Sequence, residues 1–221
     1  MDQRAANMQA RRDKIIAAAE TLIMRNSLGS FTMRDLAEEV GLSVKTLYNL
    51  CGDKFAIAGE VEERAYSSLE AELLSLPEHV DPIEQVIAIM LAGANKAIDR
   101  KAVLHHLWRG DHPISDQKKP RSKGLVKAGS VLVARALVRA IQQDILLAEM
   151  DPQTVANQLS INWFGTAMLW SRDVLSDNAF RVRVRYSGLI GLLPFANESV
   201  AATLRAQIFA LQSDLPHFDQ S

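Results

Sequence analysis

Between residues 43 and 54 the sequence SVKTLYNLCGDK gathers side chains suited to holding a polyanion. Lys45 and Lys54 carry positive charge, Thr46 and Tyr48 carry hydroxyls, and Asn49 carries an amide. Charges and hydroxyls of this kind hold phosphate oxygens, while an amide or a small apolar group such as Val44 can meet base edges in a groove. Upstream, Thr32 and Arg34 add another hydroxyl and a guanidinium. Other chemistry is poorly supported. His105, His106 and His112 suggest a metal, but adjacent residues on a helix do not share a face. No acidic or thiolate cluster completes such a site, so no metal and no cofactor is expected. Cys51 is the single cysteine; Lys54 is near enough to favour a thiolate, although a small apolar filler is the plainer role. A glycine-rich phosphate loop and a Ser–His–Asp arrangement are both missing, so the chain is not expected to be an enzyme.

Two short helices across Phe31 to Lys54, FTMRDLAEEVGLSVKTLYNLCGDK, must position these groups. Thr32 can cap the first, with Asp35 three residues on in a near capping box and Phe31 placed to staple the entry. Leu36 and Val40 share a face, and small Ala37 lets a crossing helix approach. Gly41 tolerates the left-handed backbone that ends the helix. Leu42 returns an apolar contact, and Ser43 can cap the second helix through the N–H of Lys45 or Thr46. Leu47 and Leu50 turn inward. Val44, Lys45, Thr46, Tyr48 and Asn49 are left to face outward. An ordinary helix hairpin with a solvated polar face would show the same periodicity.

The order of residues goes further than the periodicity. Thr32, Arg34, Leu36 and Ala37, the turn Gly41-Leu42-Ser43, the triplet Thr46-Leu47-Tyr48 and then Lys54 together resemble the DNA-binding motif of the TetR family of transcriptional regulators. The resemblance implies Thr32, Thr46, Tyr48 and Lys54 as phosphate contacts, and Arg34, Val44 and Lys45 as base or backbone contacts. It departs from the family at Leu50, Cys51, Gly52 and Phe55. The family commonly places an aromatic residue or His, Phe, Pro or a small residue, and an acidic residue at those positions. An apolar Leu50 is expected to pack inward rather than touch DNA.

A chain of 221 residues holds one small module and one medium domain. Net charge is −1, and residues 1–60 balance eight Lys or Arg against eight Asp or Glu. Any field for nucleic acid therefore comes from placement, from Arg4, Arg11, Arg12 and Lys14 as well as the motif, which argues against a general DNA-packaging role. Mean hydropathy near zero, no apolar run of about 20 residues, no secretory signal and one cysteine fit a cytoplasmic protein with no membrane partner.

The rest reads as helices: one over residues 11–26, a bridge from Asp53 or Lys54 to about Leu76, and others from Pro82, Leu125, Pro152, Asp177 and Asn197. GDHPISDQKKPRSKG, residues 110–124, reads as a charged loop. FRVRVRY alternates like a strand, but no partner strand exists, so it is assigned to a helix. The expected fold is all-α: a helix-turn-helix DNA-binding head in residues 1–54, and a helical effector-binding and dimerisation domain in 55–221. The resemblance implies a homodimer paired through two late helices, where Phe164, Gly165, Phe180, Val184, Gly188 and Gly191 are candidates. A crossing within one chain would use the same small residues. It also implies a small-molecule effector in the body, with Met90, His105, Trp108, Trp163, Met168 and Trp170 as candidate lining; plain core is the alternative. The functional expectation is a ligand-responsive repressor on a pseudo-palindromic double-stranded operator. The rivals are a helical adaptor for a protein partner and an all-helical enzyme.

Overall fold

A computed structural model of the chain describes residues 3–26, 32–77, 81–101, 104–105 and 122–215. Among these residues there are nine α-helices, one short 3-10 turn and no strand; the one extended pairing is an isolated bridge between Leu146 and Ala196. The helices are α1 (Gln3–Asn26), α2 (Met33–Val40), α3 (Val44–Cys51), α4 (Lys54–Ser75), α5 (Pro82–Asp99), α6 (Ser122–Gln142), α7 (Pro152–Ser171), α8 (Asp177–Leu192) and α9 (Glu198–Gln212). The chain forms two compact units, residues 1–67 with 100–115, and residues 68–99 with 116–221.

In the first unit, α1, α2 and α3 pack mutually around Ile15, Ile16, Ala19, Ile23, Leu36 and Leu47. Burying each large apolar side chain stabilises the head by about 1.5–3 kcal/mol. Ile57, Ala58 and Val61 from the start of α4 join the same core. Ion pairs reinforce it: Arg12 with Glu60, Arg64 with Asp13, and Arg100 with Glu20. The head drawn from sequence as 1–54 therefore shares its core with the first turns of α4.

The second unit is built on four helices in which α5 touches α6, α6 touches α7, α7 touches α8, and α8 returns to α5. The alternation in FRVRVRY lies wholly within α8, because one apolar face of that helix, Phe180, Val184, Gly188 and Leu192, is buried at helical spacing. Ser176 caps it by accepting from the Ala179 N–H at 3.1 Å. Trp170 is fully buried, stacks on Phe180 with centroids 5.1 Å apart, and donates Nε1–H to Asp177 at 2.8 Å. The expected loop over 110–124 falls outside the described residues up to Arg121; from Ser122 the chain is helical.

Candidate nucleic-acid interface and cavity

Local chemistry builds the α2–α3 hairpin. Thr32 and Asp35 close a full capping box: the Asp35 N–H donates to Thr32 Oγ1 at 3.2 Å, and the Thr32 N–H donates to the Asp35 carboxylate at 2.7 Å. These bonds from the Thr32 backbone and side chain hold the Asp35 carboxyl below its ordinary value, helped by the charges of Arg34 and Lys54. Thr32 and Arg34 stand at the amino end of α2, and Lys54 is near enough for its charge to act on Asp35. Gly41 ends α2 at φ 67°, which frees the Leu42 N–H to donate to Ala37 O at 2.9 Å. Ser43 caps α3 by accepting from the Thr46 N–H at 3.1 Å, and its hydroxyl also meets Thr46 Oγ1 at 2.8 Å.

The anchored α3 buries Leu47 and Cys51 and exposes Lys45, Tyr48 and Asn49; half the surface of Tyr48 is in water. Thr32 and Arg34 are exposed, and Thr46 and Lys54 half-exposed. Val44, expected to face outward, packs part-buried against the head core, because the first turn of α3 leans on it. Leu50 packs there too, as its apolar character predicts. Phe31 lies outside the described residues.

The structure gives Arg12 and Cys51 definite roles. Arg12 is a strut, not a reach toward phosphate. Its Nε donates to Glu60 at 3.0 Å, a second nitrogen completes the ion pair, and a third points at the Leu50 carbonyl at 3.4 Å. The hydrogen bond to Glu60 raises its pKa. A basic residue four places before buried Ile16 was the available sequence signal, but nothing local named its partner. Cys51 is buried, and burial pushes its thiol up; Arg12, not Lys54, is the cation that opposes this. It is a filler rather than a reactive thiolate.

The second unit holds an apolar pocket that opens to solvent. Ile89, Met90 and Gly93 of α5 and Gly129 and Val133 of α6 form two walls; Leu159, Ser160, Trp163 and Phe164 of α7 form a third, with Leu73 of α4 beside them. Met90 and Trp163 both line the pocket. Trp170 belongs to the solid core, Met168 is half-buried away from the lining, and His105 belongs to the first unit. Trp108, His106 and His112 lie outside the described residues. Gly93, Gly129 and Ser160 went unread in the sequence, although a glycine inside a helix costs about 1 kcal/mol against alanine and marks a position to question.

The small residues of α8 close crossings inside the unit. A Cβ on Gly188 would stand 2.8 Å from Ile87 Cδ1, and one on Gly191 2.6 Å from Leu159 Cδ2. Phe180 and Val184 are wholly buried there, and Phe164 lines the cavity. Of the six residues put forward for pairing with a twin, only Gly165 is exposed.

Residues 15–61 match the family model described as bacterial regulatory proteins, tetR family. That span takes in α2, α3 and the first turns of α4, the elements that carry the anchored motif. Residues 15–61 of this chain thus carry the head of that family. The solved structures similar to this chain share its fold. SmeT, the repressor of the Stenotrophomonas maltophilia multidrug efflux pump SmeDEF, is 18% identical with TM-score 0.63, covering 87% of this chain and 94% of its own. A TetR-family transcriptional regulator from Marinobacter aquaeolei VT8 is 15% identical with TM-score 0.62, covering 98% and 100%. A gamma-butyrolactone receptor is 17% identical with TM-score 0.54, covering 94% and 99%. None of the curated proteins matches. The matched head is a helix-turn-helix of the kind found in bacterial regulatory proteins, and among the described residues no helix is long and apolar enough to cross a membrane.

Proposed function

We propose that two copies of this chain hold their heads on a pseudo-palindromic operator as a repressor, and that a small apolar effector in the body releases them. The observation that carries the reading is the exposure of Lys45, Tyr48 and Asn49 on a helix whose other face is locked into the head core. Thr32, Thr46, Tyr48 and Lys54 take phosphates; Arg34, Lys45 and Asn49 are nearest to base edges, with Val44 at most a partial contact because it packs on the core. The protein has no catalytic role and works in the cytoplasm.

The cavity supports the ligand-responsive half. SmeT, similar in fold, has been solved as a complex with triclosan. An effector that binds better to a state in which α4 has tilted would draw the recognition helices off the operator, by no more than its difference in affinity for the two states. Titrating the purified protein onto genomic fragments tests the reading: one or a few fragments should be retained at competitor DNA concentrations that strip the rest. Equal retention of all fragments would overturn it.

A further inference from the structure

We infer that the cavity selects an uncharged, ring-bearing ligand that gives one hydrogen bond rather than receives one. This deepens the proposed reading of the second unit as an effector-binding domain and rests on it. Only two side chains in the described lining carry polar hydrogens, Ser160 and Trp163. Both are spent on helix carbonyls: Ser160 Oγ donates to Ala156 O at 2.9 Å, and Trp163 Nε1 donates to Met90 O at 3.0 Å. What these side chains still offer is the lone pairs of Ser160 Oγ, an acceptor. The described lining holds no charged residue to offset a buried carboxylate or ammonium, and no spare donor for a carboxylate.

The shape follows from two glycines. The indole of Trp163 lies against Gly93, where a Cβ would stand 3.3 Å from Cζ2. Its bond to Met90 O pins the same ring, and Phe180 braces it at 5.8 Å. The result is a fixed flat wall. Across from α7 and α5, Gly129 meets nothing within 4 Å where its Cβ would be. That glycine keeps the volume open, and a side chain placed there fills the space a ring would occupy. An alkylphenol has the required chemistry: a flat face for Trp163, an apolar body and one O–H for Ser160.

The test uses the full chain without DNA and four probes on one para-butylphenyl body: the phenol, its methyl ether, the benzoate and the benzylammonium. Binding is followed by calorimetry and by tryptophan fluorescence. The phenol should bind, the ether about ten-fold more weakly, and both ions at least about a hundred-fold more weakly. Gly129→Leu should lower phenol affinity at least about ten-fold, from loss of the space itself. Ser160→Ala should bring the phenol to the level of the ether and leave the ether unchanged, and it carries the test if Gly129→Leu does not fold. An ion that binds as well as the phenol overturns the inference. So does a folded Gly129→Leu with unchanged phenol affinity, a Ser160→Ala that keeps the preference for phenol, or a failure of all four probes to bind. Operator retention by the same preparation separates the two claims. Retention without probe binding sinks only the ligand class, and probe binding without retention sinks only the regulator.

Discussion

Tyr48 stands half in water on a helix whose neighbours Leu47 and Cys51 are buried, so its hydroxyl has no packing duty. Tyr48→Phe removes one phosphate hydrogen bond at most. Operator affinity should fall up to about ten-fold with no change in thermal stability. Lys54→Ala should weaken binding to all sequences alike and reduce the slope of log affinity against log salt by about one; a gel-shift series at several salt concentrations reads both. Asp35 makes a different prediction. Its carboxyl lies below the ordinary 3.8 because the folded chain bonds the charged form, with the Thr32 N–H as the first cause. A depressed folded value means the capping contribution is complete above that ordinary value and is lost as pH falls through the lower folded one. Asp151, depressed by its bonds to Thr154 at the start of α7, adds to the same window. Melting temperatures of wild type and Asp35→Asn should therefore differ at neutral pH and converge as the pH drops below the carboxylate range. A constant gap would refute the assignment.

At the scale of elements, how legible each one was depends on how far its signals reach along the chain. The α2–α3 hairpin is written within a few residues: Thr32 finds Asp35, Gly41 takes its positive φ, and Ser43 finds Thr46. All three can be read without knowing what lies elsewhere. The body is different, because a small residue on a helix permits a close crossing without naming the partner. Gly188 and Gly191 read equally well as places for a twin helix or for one within the chain, and the structure gives them to Ile87, Met90 and Leu159. The cavity was obscured for the same reason: Trp163 and Trp170 are alike in sequence, yet one lines open space and the other stacks in solid core. These placements predict opposite responses to the same change. Gly191→Ala gains about 1 kcal/mol in helix propensity but forces Leu159 aside, and overpacking of about 1–3 kcal/mol should win. Gly129→Ala meets nothing within 4 Å and should keep the propensity gain. Urea midpoints should fall for the first variant and rise for the second; the same sign for both would contradict the described crossings.

For the whole molecule, charge and size favour the proposed second copy. The chain carries 25 Lys and Arg against 26 Asp and Glu, so no broad positive field holds it to DNA, and one eight-residue recognition helix contacts few bases. In the proposed reading, specific occupancy comes from two heads on half-sites about 34–36 Å apart, or a multiple of that. The residues first put forward for the pairing are mostly spent inside the body. The exposed large apolar side chains on the two late helices are Ile161, 59% exposed, on α7 and Ile190 on the neighbouring α8, with exposed Gly165 beside Ile161 on α7. Ile161 and Gly165 are one turn apart, so they share a face that a second copy can approach closely. Ile161→Glu adds a charge to that face without touching either core. It should shift sedimentation from dimer to monomer, leave the helical signal intact, and abolish operator retention at concentrations where wild type binds. Inserting about five base pairs between half-sites should do the same to DNA, since half a turn carries one half-site to the opposite face of the duplex. The two experiments check one another. If Ile161→Glu stays dimeric, another surface joins the copies, whereas if the lengthened operator still binds tightly, each head recognises its half-site alone and the requirement for a fixed spacing fails.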